Sequence, residues 1–317
     1  MSGRMEKELL AKEKMLKKLE CLPEIFTTFY NWMDARDKSY KTINNYIRHV
    51  KEFMDFFTKG KKDGKFYEKV TDVDIERFMI SVKNKNSGDD IKAAKWSSLN
   101  TFFTFLIQKK YINNNPMLLT ERPKIRTEHD VTYLTPKEID SIFARIQTES
   151  RTRNKNRDMC IVALGITTGL RVSAIVNIDV EDVNFSENNI EVIEKGRKKR
   201  KIAFSENLRN MLLVWLKDRE IYFEGKETGP LFLSQQKKRL SVDSVSLIIE
   251  KYTNHLSKHI TPHKLRSSTA MNLYGAGVDI LTIASLLGHE NVTTTQRYVK
   301  AYEESKREAT NILDNLI

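Results

Sequence analysis

Ile190-Glu-Val-Ile-Glu-Lys195-Gly-Arg-Lys-Lys-Arg-Lys201-Ile-Ala-Phe204 is the stretch in which the hydrophobic period changes. Ile190 and Val192 alternate with carboxylates, a basic run from Lys195 to Lys201 intervenes, and Ile202 and Phe204 alternate again. Period-two patterning on both sides of a Gly-containing polar run predicts a β-hairpin with a basic tip. The rest of the chain reads as helix. It holds 12 Gly and 6 Pro in 317 residues, well under the ordinary usage of roughly 12% for the two together. Few helix breakers and few turn formers favour a mainly α protein carrying one small hairpin or sheet.

Upstream of the hairpin, Arg157 to Thr168 is an apolar helix that stops at Gly169, with Cys160 inside it as a small buried hydrophobe. Thr135-Pro136-Lys-Glu138 offers an N-cap, a proline at the first helical position and a carboxylate three residues after the cap. A mixed α/β domain is therefore expected over 132–302. Before it, 113–131 contains Asn113-Asn-Asn-Pro116 and Pro123 without a hydrophobic period, which predicts a linker. Residues 21–112 read as four helices separated at Asp37-Lys-Ser39, Lys59 to Lys65 and Asn84 to Gly88. Ile43, Ile47, Val50, Phe53, Met54 and Phe57 form one stripe there, and Trp96, Leu99, Phe103 and Leu106 another; stripes of this kind are core. Residues 1–20 mix Lys and Glu around Leu9, Leu10, Met15, Leu16 and Leu19, the pattern of a solvated amphipathic extension. Downstream of the hairpin the pattern is helical, punctuated by Pro230 and Pro262, and it ends in a helical tail over 303–317 whose Ile312, Leu313, Leu316 and Ile317 share a spacing.

Lys and Arg number 54 against 42 Asp and Glu, a formal charge of +12, which favours a polyanionic partner. Cys21 and Cys160 are too far apart to form a zinc-ribbon pair or a disulfide framework, and a reducing cytoplasm is the expected location. No apolar run reaches the roughly 18 residues of a membrane span, so no membrane partner is expected. There is no phosphate-binding G-x-x-x-x-G-K, no G-x-S-x-G and no H-E-x-x-H. His255, His259 and His263 recur every four residues, but Pro262 interrupts them and no Cys or carboxylate completes a ligand set, so no metal site is expected.

What remains is a series of basic and polar groups: Arg171 after Thr168-Gly-Leu, Lys195 in the hairpin turn, His263-Lys-Leu-Arg266, His289 in Leu286-Leu-Gly-His289, and Tyr298 at the end of Thr293-Thr-Thr-Gln-Arg-Tyr298. Each alone has an ordinary structural reading. Arg171 and Lys195 would be solvated charges, the histidines structural, and Tyr298 a half-buried aromatic with its hydroxyl satisfied. Taken as an ordered set they resemble the tyrosine recombinases of the phage-integrase and Xer type. The resemblance runs through Thr168-Gly-Leu-Arg171-Val-Ser173, Lys195-Gly-Arg-Lys-Lys-Arg200, His263-Lys-Leu-Arg266, Tyr274-Gly-Ala-Gly277 and Leu286-Leu-Gly-His289-Glu-Asn-Val-Thr-Thr-Thr-Gln-Arg-Tyr298. It covers about 132–300, and more loosely the N-terminal helices, which are similar to the family's core-binding domain. In one departure, Ala174 stands where the family places an acidic residue three positions after its first arginine.

The resemblance implies a core-binding domain followed by a recombinase catalytic domain. It implies catalytic roles for Arg171, Lys195, His263, Arg266, His289 and Tyr298 in site-specific strand exchange, through a 3′-phosphotyrosyl link that conserves the ester without ATP. Two guanidiniums can grip the nonbridging oxygens by paired hydrogen bonds, the charge work that a metal ion does elsewhere. A phenol, whose ordinary pKa is about 10, is a weak nucleophile until a base takes its proton. The roles the resemblance implies fit this chemistry: Arg171 and Arg266 as the clamp, His263 as the base, His289 as a donor to a nonbridging oxygen and Lys195 as the acid for the leaving 5′-oxygen. The implied partners are double-stranded DNA recombination sites, three further copies in a homotetramer, and an accessory directionality factor; no cofactor is implied. Rival readings are a recombinase-derived DNA-binding regulator without turnover, and a topoisomerase or telomere resolvase of the same chemistry.

Overall fold

Ser39 begins the helix that starts at Tyr40 by accepting a hydrogen bond on its side chain from the Thr42 backbone N–H, a local start signal that Thr135, Ser205, Ser241 and Asp279 repeat further along the chain. The structure is a computed structural model and describes residues 12–61, 63–84, 88–124, 131–193, 199–224, 228–289 and 293–314. The chain divides into two compact units, Met1–His129 and Asp130–Ile317.

The first unit contains α1 (12–19), α2 (Glu24–Asp34), α3 (Tyr40–Phe57), α4 (Asp72–Asn84) and α5 (Asp89–Gln108). The stripes close into one core: Ile43, Ile47, Val50, Phe53 and Met54 from α3 meet Leu99, Phe103 and Leu106 from α5, while Phe57 and Trp96 pack at its edge. Two sequence expectations change. Met15 and Leu19 of α1 are buried in this core, so the described part of the 1–20 segment is a built-in helix and not a solvated extension. Pro116–Leu119 forms a 3-10 turn that buries Met117 in the same core, and Trp96 Nε1 donates to Thr120 Oγ1 at 3.1 Å. The first part of the expected linker thus belongs to the N-terminal unit. Phe66, just after the basic loop, also enters the core and lies parallel to Phe102 at a centroid distance of 6.1 Å.

The second unit opens on α6 (Pro136–Glu149), where Thr135 and Glu138 form the expected capping box. It continues through α7 (Thr152–Thr168), α8 (Val172–Asn177), a three-stranded sheet, and α9 (Glu206–Phe223), α10 (Val242–Thr253), α11 (Pro262–Gly275), α12 (Ile280–Leu287) and α13 (Thr293–Asp314). α7 packs against α6, α8, α9 and α11, and Cys160 on it is fully buried, its thiol donating to the Met211 carbonyl and its pKa pushed up by burial. Burial there keeps the thiol inert.

The sheet is antiparallel in the order β1 (Val183–Asn184), β2 (Asn189–Ile193), β3 (Lys199–Ala203), with Ile190 opposite Ile202 and Val192 opposite Arg200. The two-residue β1 carries no alternating pattern that the sequence could display. β3 begins at Lys199, so Lys199, Arg200 and Lys201 belong to a strand and not to the turn. The tip, 194–198, lies outside the described residues, and so do Leu316 and Ile317 and the side chains of Ile312 and Leu313 in the tail. The described part of the tail, through Asp314, continues the helix that carries Tyr298.

Candidate active site

Arg171, His263, Arg266, His289 and Tyr298 all lie on elements that meet around the end of α7. Lys195 lies outside the described residues. α7 stops because Gly169 turns into the left-handed region at φ +59, and a Cβ at this position would come within 2.4 Å of Leu287 Cδ2. Glycine is thus required twice, for the turn and for the approach of α12. Two residues later Arg171 caps α8, with its side chain exposed. Ala174 packs against the main core of the unit, so α8 brings no carboxylate to this position.

Pro262 fixes the start of α11, which places His263 in its first turn and Arg266 one turn further along the same face. Arg266 is 1% exposed. Its Nη1 donates to the Gly169 carbonyl at 2.7 Å and its Nη2 to the Leu287 carbonyl. One guanidinium therefore joins the carbonyl ends of α7 and α12, where the helix dipoles favour a cation. Thr269, one turn on, donates to the Ile166 carbonyl at 2.7 Å, and Gly165 lets Leu265 press against α7.

α12 ends at left-handed Gly288, which places His289 just past the end of the helix. The His289 backbone N–H donates to the Ala284 carbonyl at 2.9 Å, and Nδ1 sits 2.7 Å from Thr295 Oγ1. In the tautomer that accepts the Thr295 O–H at Nδ1, the neutral imidazole carries its hydrogen on Nε2 and can donate it to a ligand. The ring stacks on Tyr298 with an interplanar angle of 18° and a centroid distance of 6.4 Å. Tyr298 is 1% exposed, set among Ala270, Met271, Ile283, Leu287 and Ala301, and its hydroxyl oxygen accepts from Arg297 Nη2 at 2.9 Å. The half-buried aromatic of the ordinary structural reading is thus fully buried and gripped at its oxygen.

The electrostatics follow from this crowding. Burial first, then the charges of Arg297, Arg266, Lys264 and Arg171, hold the His263 imidazole below its ordinary value. Burial, then Arg266, Arg171, Arg297 and His263, push His289 down to about 4. Both rings are neutral at neutral pH, so His263 can accept a proton. The same concentration of positive charge suits an incoming phosphodiester, whose anion would offset the repulsion.

Three participants are not distinguished by the sequence. Thr295 is one of three consecutive threonines, and only its 1% exposure and its contact with His289 single it out. Arg200, one cation in a basic run, donates through Nη1 to the Ser285 and Leu286 carbonyls at 2.9 Å each, and so ties the hairpin to the end of α12. Arg297, next to Tyr298, looks like a surface charge until its contact with the hydroxyl is seen. Among the described residues no His, Cys, Asp or Glu cluster is placed to hold a metal ion, and no helix is long and apolar enough to cross a membrane.

The model of the Phage integrase family matches residues 132–305, the span that holds every residue of this site. The chain belongs to that family. Tyrosine recombinase XerC of Caldanaerobacter subterraneus subsp. tengcongensis is 35% identical over 326 residues, covering 95% of this chain and 90% of its own. Tyrosine recombinase XerD of Staphylococcus epidermidis is 30% identical over 271 residues, covering 82% and 88%. Among solved structures, the XerH recombinase bound to a palindromic difH substrate in a post-cleavage complex has a TM-score of 0.70 at 21% identity, covering 88% of this chain and 82% of that one. A lambda integrase dimer bound to a COC′ core site has a TM-score of 0.67 at 21% identity, covering 87% and 94%. These two share the integrase fold with this chain.

Proposed function

We propose that this integrase-family chain is a site-specific DNA recombinase whose nucleophile is the Tyr298 hydroxyl. The observation that carries the reading is the convergence on one buried tyrosine of His289, which stacks on it, and of a positive field from Arg171, Arg266 and Arg297 that, after burial itself, holds both nearby imidazoles below their ordinary value. A lone structural tyrosine has no use for that field; a phosphodiester does.

In the proposed step Tyr298 Oη attacks a backbone phosphorus and its proton passes to His263. Arg171, Arg266 and the Nε2–H of His289 take up the charge growing on the nonbridging oxygens. The bond to the 5′-oxygen breaks, and that oxygen takes a proton from Lys195, brought in on the hairpin that Arg200 anchors. The 3′-phosphotyrosyl ester retains the bond energy, so a second 5′-hydroxyl can reseal the strand. In the proposed division of labour, 21–112 grips the duplex, 132–302 performs the chemistry, and the 303–317 tail joins neighbouring protomers of a tetramer. An accessory protein would set direction.

The test is to express the gene on a plasmid with its native flanking DNA and sequence the junctions. Exchange between two discrete sites supports the reading. Absence of junctions together with sequence-specific binding would make the chain a regulator.

A further inference from the structure

We infer that Arg297 is a catalytic residue that holds and stabilises the ionised oxygen of Tyr298. The inference rests on the recombinase reading for its chemistry and on an independent contact for its geometry. Arg297 Nη2 donates to Tyr298 Oη at 2.9 Å, and the same guanidinium lies 4.9 Å from the centroid of the Tyr298 ring. The side chain therefore lies along the phenol and terminates on the atom that must become nucleophilic.

A donor to a phenol oxygen occupies a lone pair and leaves the O–H free to be given to a base. A cationic donor favours the oxyanion that results. Other charged or titratable groups face this pocket from the elements packed against α13. α11 brings His263, Lys264 and Arg266, the start of α8 brings Arg171, the residue after Gly288 is His289, and α12 has no ionisable side chain. Arg266 uses its Nη1 and Nη2 on the carbonyls of Gly169 and Leu287, and His289 uses Nδ1 on Thr295. Arg297 brings its hydrogen bond to the nucleophilic oxygen itself. When Tyr298 attacks, its proton goes to His263, the Oη–P bond forms, the P–O5′ bond breaks, and Arg297 keeps its own protons throughout. Its part is electrostatic, matched to a charge that exists during attack.

The experiment has two arms. In the first, which uses no DNA, a ring-fluorinated tyrosine is placed at position 298 alone and its ionisation is followed by fluorine NMR in the full chain and in Arg297→Gln and Arg297→Lys. Arg297→Gln should raise the midpoint by about one pH unit, a tenfold fall in the ionisation constant, and Arg297→Lys should recover part of it by restoring charge without the fork. A midpoint unmoved in Arg297→Gln overturns the proposal. In the second arm, SDS-resistant adduct formation is timed on a plasmid carrying the native flanking DNA. Arg297→Gln should be about tenfold slower near neutral pH, and the gap should narrow as pH rises and solvent ionises the phenol unaided. A gap that stays constant with pH, with weaker binding and a flatter salt dependence, would make Arg297 a phosphate ligand and overturn the proposal. If the unaltered chain forms no adduct, the recombinase reading fails, while the fluorine titration still decides the contact.

Discussion

The core of the N-terminal unit and the core around Tyr298 are both closed to water, but they are filled differently. Phe26, Phe29, Phe53, Phe66, Phe78, Phe102, Phe103 and Phe105 fill the first with rings that touch one another. The second encloses Arg266, Thr269, Thr295 and Tyr298 beside Met271 and Leu287. Burying a guanidinium is unfavourable unless its donors are matched, and here the carbonyl ends of α7 and α12 supply the match. A core that only has to hold helices together can use hydrocarbon. A unit that must present charge to a phosphate pays in polar burial and recovers it in chemistry. Among the described residues the N-terminal unit buries three polar side chains, His49, Lys95 and Ser98, and His49 Nδ1 sits 2.8 Å from Ser98 Oγ.

That contrast can be broken at four places. The largest effect is expected in the aromatic core, where Phe102→Ala removes a ring in contact with five others and should destabilise the N-terminal unit by about 3–5 kcal/mol. Calorimetry should show its transition moving down while that of the catalytic unit stays; a joint shift would mean that the two cores unfold as one. Next, Arg266→Lys should slow adduct formation by about 10²–10³-fold, because an ammonium replaces neither the fork nor the two carbonyl contacts. A loss within threefold would reduce Arg266 to a packing element.

A smaller effect concerns acid. His49 is pushed down to about 4 by burial, then by Arg48 and Lys95, from an ordinary 6.5. The unfolded chain therefore binds a proton that the folded chain refuses between those values, and stability is lost as pH falls from 6.5 toward 4. Between pH 6.5 and 5 this amounts to about 2 kcal/mol. Urea unfolding of His49→Gln should show that part of the acid sensitivity removed, and an unchanged pH slope would mean that His49 is protonated in the fold. The smallest effect is expected for Thr295→Val, which removes the partner of His289 Nδ1 and leaves the core filled. Adduct formation should slow by up to about tenfold, the scale of one buried hydrogen bond near 1 kcal/mol, with half-site binding unchanged; equal rates would assign the His289 tautomer to some other contact.

Much of this was legible because period and punctuation are local. The stripes of α3 and α5, the capping box of α6 and the stop at Gly169 each depend on residues within a turn or two of one another, and the structure reproduces them. Where sequence reading fell short, the missing information was tertiary. Met15 and Met117 look like residues of an extension and a linker, and only the presence of a core beside them makes them buried. β1 is two residues long and exists because β2 offers an edge. The motifs around Arg171, Arg266, His289 and Tyr298 made the site readable as a set. The contacts of Thr295, Arg200 and Arg297 were not, since a threonine among threonines or an arginine among cations has no local mark of what it touches.

The central claim is that the Tyr298 hydroxyl is the nucleophile, and Tyr298→Phe tests it with a change of one oxygen. The unaltered chain and the variant are mixed with a plasmid carrying the native flanking DNA, and each is assayed for specific binding by gel shift and for SDS-resistant covalent adduct. The expected result is equal binding, an adduct from the unaltered chain and none from Tyr298→Phe. An adduct formed by Tyr298→Phe would contradict the account, because the covalent bond would then belong to another residue.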